Sequence, residues 1–66
     1  MNVWLNGEAA DGRGAGNIAE LAENYGLEPR AILIEHNGVA LHRREWQSRR
    51  LSEGDRIEFI RVVAGG

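Results

Sequence analysis

The chain has 66 residues, no cysteine and a net charge of −2, because ten acidic residues outweigh eight arginines and there is no lysine. A chain this short forms one domain with a small core, since it buries only about 60% of its unfolded surface. Disulfide bonds and thiolate metal sites are excluded. No segment is long and apolar enough for a signal peptide or a membrane helix, so the composition predicts a soluble cytoplasmic protein that does not bind membranes.

The first eleven residues predict a β-hairpin. Alternating apolar side chains are typical of a half-buried strand, and here they are Met1, Val3 and Leu5. These three side chains are expected to face the core, which places Trp4 on the opposite face of the sheet. Asn6-Gly7 tolerates the positive φ angles of a type I′ turn. A short return strand is therefore expected from Glu8 to about Asp11.

A helix with two marked ends follows. Asn17 can cap its first turn, and Glu20 lies three residues later, as in a capping box. Gly26 suits the left-handed position after the last turn, and Pro29 prevents continuation. The glycine-rich residues 12–16 match neither a P-loop nor a dinucleotide fingerprint and are interpreted as a flexible loop. One apolar stripe is expected to face the core: Ile18, Leu21, Ala22 and Tyr25.

The second half predicts another hairpin, a short crossing and a last strand. Asn37-Gly38 is a second tight turn between an apolar strand and a short return strand. Trp46 is the large apolar residue of a charged segment and is expected to fill the edge of the core from a short helical turn. Glu53-Gly54-Asp55 predicts a turn before a strand at residues 56–63. The alternation of this strand gives four orientations: Ile57 and Phe59 inward, Glu58 and Ile60 outward.

This order of elements predicts an α+β fold. A single helix must cover one face of a sheet for both apolar surfaces to be buried. The last strand is the most apolar, which favours a central position. Pairing it parallel to the first strand, with both hairpins outside, gives a β-grasp, or ubiquitin-like, roll of about five strands and one main helix. The expected organisation is a single domain at residues 1–63 and a flexible tail of small residues at 64–66.

The sequence offers little material for catalysis or metal binding. His36 and His42 lie six residues apart across a predicted hairpin, and we interpret them as ordinary surface or edge histidines, with a shared site as the alternative. Glu53 and Asp55 flank a turn glycine, where Asp usually bonds its own backbone. The sequence therefore predicts neither an enzyme nor a metal site.

An arginine cluster gives the chain its uneven charge. Residues 43–66 hold six arginines and four acidic residues, whereas residues 1–42 hold two arginines and six acidic residues. Arginine binds phosphate well and Trp46 could stack on a base, so a small RNA-binding module is one alternative. The chain is acidic overall, which favours a solvated face or a patch for an acidic protein partner. The cluster comprises Arg43, Arg44, Arg49 and Arg50.

A second candidate surface lies on the open face of the predicted sheet. Trp4 is expected there near Ile60 and an isoleucine of the third strand, and an exposed apolar patch of this kind marks a contact surface. The alternative is that Trp4 only rests on its neighbours. The predicted partner-binding residues are Trp4, Ile60, Arg61 and Val62.

The chain ends in Ala64-Gly65-Gly66. Glycine lacks a Cβ atom and adopts both signs of φ, so such a tail can enter a narrow channel. An α-carboxyl group has a pKa of about 3.3–3.7 and is a carboxylate at neutral pH. A carboxylate is a poor electrophile until it is converted to an anhydride or thioester. Following a β-grasp pattern, Gly66 is the predicted reactive residue, and Ala64 and Gly65 are predicted to thread into a partner.

These features resemble a known family, the ubiquitin-like sulfur carriers, and most closely the ThiS family of thiamine biosynthesis. The resemblance covers nearly the whole chain without an insertion after Trp46. Two positions depart from the common pattern, His42 in place of proline and Asn17 in place of threonine, and both substitutes can do the same structural job. The matching segments are VWLNGE (3–8), IAELAENYGL (18–27), HNG (36–38), RREW (43–46), LSEGDRIEF (51–59) and VVAGG (62–66).

The resemblance implies a carrier acted on by other enzymes. A ThiF-type adenylyltransferase, related to ubiquitin-activating enzymes, would use ATP to adenylate the Gly66 carboxylate. Sulfur from a cysteine desulfurase persulfide would replace AMP, and a ThiG-type thiazole synthase would take it from the thiocarboxylate. The carrier is expected to bind no cofactor and to be a monomer when free. Other sulfur pathways (molybdopterin, cysteine or tRNA thiolation) and a ubiquitin-like conjugation tag remain alternatives.

Overall fold

The computed structural model describes residues 1–62. Within this range it contains five strands, one α-helix and two short 3-10 turns, at Pro29–Ala31 and Arg43–Glu45. No helix in the described range is long and apolar enough to cross a membrane. The strands and helix in chain order are β1 (Asn2–Leu5), β2 (Glu8–Asp11), α1 (Ile18–Asn24), β3 (Ile32–His36), β4 (Val39–Leu41) and β5 (Arg56–Arg61).

The five strands form one mixed sheet in the order β2-β1-β5-β3-β4. β5 is central, as its apolar sequence predicts, and it runs parallel to β1 and antiparallel to β3. The two hairpins lie at the outer edges. With α1 covering one face, this is the β-grasp roll that the order of elements predicts, so the predicted fold is confirmed.

Both hairpin turns have the backbone that their sequence requires. Asn6 and Gly7 have φ angles of 50° and 82°, and Asn37 and Gly38 have φ angles of 51° and 84°. Two successive positive φ angles define a type I′ turn, whose twist matches that of the paired strands. The asparagine side chains also bind the neighbouring strand, since Asn6 Oδ1 accepts a hydrogen bond from the Phe59 amide at 2.8 Å. The turns therefore fix the register of the sheet as well as its edges.

Helix α1 begins and ends close to its predicted signals. The Asn17 side chain accepts a hydrogen bond from the Glu20 amide at 2.8 Å. The Glu20 carboxylate accepts one from the Gly16 amide at 2.7 Å, one residue earlier than a capping box would place it. Gly26, with φ 67°, ends the helical segment in the left-handed conformation. The helix is thus fixed to the glycine-rich loop that precedes it.

One apolar core lies between α1 and the sheet. The predicted helix stripe is confirmed, because Ile18, Leu21 and Ala22 are buried and Tyr25 packs against the core. Trp46 is only 4% exposed and fills the edge of the core beside the second 3-10 turn, as predicted. The remaining buried apolar side chains are Val3, Ala15, Ile32, Ile34, Leu41, Leu51 and Ile57.

Two expectations at the ends of strands differ from the structure. Met1 was expected in the core, but its side chain is half-exposed, because β1 begins only at Asn2 and Met1 lies beside Gly12 at the open end of the β1–β2 hairpin. The last strand was expected to reach residue 63, but β5 ends at Arg61. Val63 lies outside the described residues.

Candidate functional site

The predicted site begins where β5 ends. The Val62 amide donates a hydrogen bond to the Ala31 carbonyl at 2.7 Å, which holds the chain beside β3 up to the last described residue. Ala64, Gly65 and Gly66, the predicted tail and reactive residue, lie outside the described residues. The part of the site that the structure describes is therefore the surface around Val62, the residue directly before the last four.

An exposed apolar patch lies at this end of β5, on the face of the sheet opposite α1. Leu33 of β3 lies directly opposite Ile60 of β5, and their side chains are 56% and 43% exposed. Val62, the residue directly after β5, is also exposed and lines the same depression as Leu33. Adjacent exposed apolar side chains mark a contact surface. We call Leu33, Ile60 and Val62 the β5-end patch.

Trp4 lies apart from this patch. In the parallel register Trp4 pairs with Arg56, four residues before Ile60, which corresponds to roughly 13 Å along the strand. The expectation that Trp4 neighbours Ile60 is therefore wrong. The expectation that an isoleucine of the third strand lies on this face is also wrong. The residue opposite Ile60 is Leu33, and the β3 isoleucines face the core. Trp4 is still 46% exposed and remains a surface feature of its own.

Arg61 also separates from the patch. It pairs with Ile32, whose side chain is buried on the α1 side of the sheet, so Arg61 is directed to the face opposite Ile60. Its side chain is exposed because it lies at the end of the strand. Of the four predicted partner-binding residues, the structure brings Ile60 and Val62 together and separates Trp4 and Arg61 from them.

The opposite end of β5 carries a partly buried polar network that the sequence did not reveal. His36 is 5% exposed, so its interpretation as a surface or edge histidine is wrong. Its Nε2 atom lies 2.7 Å from Asp55 Oδ2, and its Nδ1 atom accepts a hydrogen bond from Arg49 Nε at 2.9 Å. We call His36, Asp55 and Arg49 the His36 network.

The hydrogen bonds of the network define its protonation. Because Nδ1 of His36 accepts from Arg49, the ring proton lies on Nε2 and is donated to Asp55. Burial by itself would raise the pKa of Asp55, but hydrogen bonds from His36, Asn37 and the Ser52 amide outweigh it. Together they hold the pKa of Asp55 below its ordinary value of 3.8. Asp55 is therefore ionised at neutral pH.

The His36 network lies far from the predicted reactive end and acts as a structural link. His36 pairs with Ile57, five residues before Val62, or roughly 16 Å along β5. Asp55 joins the end of β3 to the turn before β5, since it also accepts from the Ser52 amide at 2.8 Å. The network thus holds the start of β5 in place, and it has no contact with the β5-end patch.

The four clustered arginines do not form one surface. Arg49 is turned towards His36, and Arg50 forms a backbone bridge with Asn17. Arg43 and Arg44 are exposed on the second 3-10 turn. The buried ring of Trp46 has no free face for a base, so the stacking contact of the RNA-binding alternative is wrong.

Sequence comparison decides the family. The sequence profile of the ThiS family matches residues 3–66. The chain belongs to the ThiS family. This confirms the resemblance drawn from the sequence segments, and it makes the chain a small carrier protein and not an enzyme.

Individual relatives of this ThiS family member are similar to it along almost its whole length. It is 33% identical over 64 residues to the sulfur carrier protein ThiS of Thermus thermophilus, covering 97% of this chain and 98% of the relative. It is also 22% identical over 63 residues to the uncharacterized protein ycf40 of Trieres chinensis, covering 96% and 86% of the two chains. The crystal structure of the thiamine biosynthesis protein ThiS from Geobacter metallireducens superposes with a TM-score of 0.84 at 29% identity, over 100% of both chains.

Two residues of the sites described above were missed at the sequence level although signals for them exist. His36 follows Ile32 and Ile34 at intervals of two, so the alternation of β3 places it in the core. Leu33 lies between those isoleucines, and an apolar residue at an outward position indicates an exposed patch. Its neighbour in β5 could not be inferred, because the register between distant strands depends on tertiary pairing.

Proposed function

We propose that the chain is a sulfur carrier of thiamine biosynthesis and that its Gly66 carboxylate carries the sulfur as a thiocarboxylate. Membership of the ThiS family and the name of the Thermus relative support this function. The observation that carries it in the structure is the β5-end patch. An exposed apolar surface lies directly before the last four residues, where a partner acting on the terminus must bind.

The proposed chemistry has two stages. In the first, the terminal carboxylate attacks the α-phosphate of ATP, pyrophosphate leaves and an acyl adenylate forms. In the second, the terminal sulfur of a persulfide attacks the adenylate carbonyl and AMP leaves. A thiol of the donor system then cleaves the S–S bond, leaving the thiocarboxylate and a disulfide. The partner enzymes supply every catalytic group in both stages.

The composition of the chain suits this role. With no cysteine, it has no side chain that could hold sulfur as a persulfide. With no lysine, it has no side-chain amine to attack an activated terminus. The terminal carboxylate is then the group to which sulfur can be attached, and no side-chain amine of the chain can attack its acyl adenylate.

The partners follow from the chemistry. A ThiF-type adenylyltransferase consumes ATP and binds the β5-end patch while the tail enters its active site. A cysteine desulfurase provides the persulfide sulfur indirectly, and a ThiG-type thiazole synthase accepts sulfur from the thiocarboxylate. Both enzymes that act on the terminus need the same end of β5, so they bind in turn and not together.

The test is an intact mass measurement after incubation with the cognate adenylyltransferase, ATP and a persulfide donor. We expect the mass to rise by the difference between one sulfur and one oxygen atom. A variant lacking Gly66 is the control, and it should fold normally and remain unmodified. An unchanged mass in the full-length chain contradicts the proposal. Release of that sulfur into the thiazole ring by thiazole synthase distinguishes thiamine supply from the other sulfur pathways.

A further inference from the structure

A cleft lies on the α1 side of the molecule, behind the β5-end patch. Its first part has a volume of about 370 Å³ and opens between α1 and the second 3-10 turn, with Ala22, Leu27 and Arg44 in its walls. Its second part, of about 450 Å³, opens at the end of the sheet beside Arg30 and His42. Both parts share Pro29, Arg43 and Trp46, so they adjoin each other along these residues. We call it the arginine cleft.

The rim of the arginine cleft is positively charged. Arg30, Arg43 and Arg44 line it, whereas Glu23 is the acidic residue among its lining side chains in the described range. This excess of cations stands out in a chain whose net charge is −2. A concentrated positive rim on an acidic protein favours an acidic occupant and increases its rate of association.

The side chains of the rim arginines have hydrogen-bond donors that are unused within residues 1–62. Within residues 1–62, the side chains of Arg30, Arg43 and Arg44 form no hydrogen bond or salt bridge, whereas the Arg49 side chain binds His36. A guanidinium offers five N–H donors in a planar fork that matches a carboxylate. These arginines can therefore bind carboxylates without breaking an existing contact within that range.

The floor of the cleft is apolar and carries an unsatisfied donor. Trp46 is 4% exposed and lines both parts of the cleft. Its Nε1 atom is buried and has no hydrogen-bond partner among residues 1–62. An unpaired buried donor is unfavourable, so an oxygen acceptor that an occupant brings beside it would be favoured. The preferred occupant thus combines apolar area with oxygen acceptors.

The cleft is continuous with the surface that the proposed function assigns to the partner. Leu33 and Val62 of the β5-end patch also line its second part. A protein that covers the patch reaches the cleft without crossing another surface, because both meet where the chain leaves β5. Nucleic acid fits less well, since the Trp46 ring has no exposed face and the floor is apolar.

We propose that the arginine cleft docks an acidic segment of the partner protein that acts on the C-terminal tail. An apolar side chain of that segment packs between Ala22 and Leu27, and its carboxylates pair with Arg43 and Arg44. The proposal rests on the proposed function, because the same partner adenylates Gly66. It extends the interface from the outer face of the sheet, around its end, to the helix side.

The test measures binding of the cognate adenylyltransferase to the double variant Arg43→Glu plus Arg44→Glu. Two reversed rim charges should raise the Kd by about tenfold or more, because attraction at two positions becomes repulsion. In the adenylation assay the KM for the carrier should rise while kcat at saturation stays unchanged. The Kd of the unmodified carrier should also increase with salt, and that of the double variant much less.

Arg50→Glu is the control for a reversed charge. Arg50 is exposed in the same segment but lines a different depression, so its reversal should change the Kd by less than about twofold. Urea unfolding should show that all variants keep the stability of the unmodified chain. A double variant that binds as tightly as the unmodified chain overturns the proposal.

Other occupants give different results. Binding of a single-stranded RNA oligonucleotide that the double variant abolishes would assign the cleft to nucleic acid and overturn the proposal. Amide resonances of Arg43 and Arg44 that shift when residues 63–66 are removed from the free chain would assign it to the chain's own tail, with the same consequence. If the unmodified chain is not adenylated at all, the proposed function fails before any variant is compared, and this proposal fails with it.

Discussion

The two ends of β5 differ in which side chains they expose and which they bury. At the end near Val62, apolar side chains are exposed and do not pack in the core. At the end near Ile57, the buried His36 side chain is hydrogen-bonded by the partly buried side chains of Asp55 and Arg49. Exposed apolar area is useful only when a partner covers it, whereas a buried polar network contributes to holding the fold. Under the proposed function, the contrast separates the residues expected to bind a partner from those that stabilise the fold.

The largest effect on stability is expected from a substitution in the His36 network. Asp55→Ala removes the acceptor of His36, Asn37 and the Ser52 amide, and it leaves the buried His36 ring without its acceptor. We expect the free energy of unfolding to fall by about 3 kcal/mol. Urea denaturation measures it. Asp55→Asn, which keeps the volume and one oxygen, should lose about half as much.

This first prediction also tests the division of roles. Where Asp55→Ala remains folded at low temperature, its affinity for the adenylyltransferase should equal that of the unmodified chain. A stable variant with weakened partner binding would show that the His36 network belongs to the interface and that the comparison is wrong.

The next effect is expected at the exposed end. Ile60→Asp places a charge in the centre of the β5-end patch, where a partner would have to desolvate it. We expect the affinity for the adenylyltransferase to fall by about 2 kcal/mol, or roughly thirtyfold in Kd, with little change in the free energy of unfolding. Calorimetric titration measures the affinity.

Val39→Asp is the matched control for that substitution. Val39 is 47% exposed, similar to Ile60, but it lies on the edge strand β4 beside His36. The same charge at this position should leave partner affinity within about twofold of the unmodified value. Equal losses at both positions would mean that the added charge, and not the patch, controls binding.

A smaller effect on stability is expected when the pH is lowered. The pKa of Asp55 is lowered in the folded chain, so the folded state binds this proton more weakly than the unfolded state does. The stabilisation from Asp55 is therefore complete above its ordinary value of 3.8 and is lost as the pH falls through the lowered pKa. Thermal unfolding between neutral pH and strong acid should show this loss. The acid dependence should flatten in Asp55→Asn, and an unchanged profile would contradict the role of Asp55.

The smallest effect is expected at Trp4. Its side chain is exposed but lies beside Arg56, about 13 Å along the strand from Ile60. Trp4→Ala should raise the Kd for the adenylyltransferase by less than about threefold, as at the periphery of an interface. A loss as large as that of Ile60→Asp would extend the contact surface across the whole open face of the sheet.

The sequence predicted the features that depend on local signals. Asn37-Gly38 specifies a tight turn by its backbone preference, and Asn17 and Gly26 mark the helix by capping chemistry. The central place of β5 was also predicted correctly, from the apolar character of the last strand. These features are determined by residues that lie close together along the chain.

The features that were missed depend on contacts between distant residues. The neighbour of Trp4 is decided by the parallel register of β1 and β5, and no local pattern sets that register. The partners of His36 come from residues 13 and 19 positions away, Arg49 and Asp55, and become visible only when the strands are assembled. The arginine cleft likewise arises from three separate segments.

The central claim, that Gly66 carries sulfur, is tested most directly by locating the sulfur in the chain. Arg61 is the last arginine and there is no lysine, so trypsin releases the terminal peptide 62–66 intact. After reaction with the adenylyltransferase, ATP and a persulfide donor, this peptide should contain one sulfur in place of one oxygen, and fragmentation should assign it to Gly66. A reacted chain whose terminal peptide keeps both carboxylate oxygens would contradict the account.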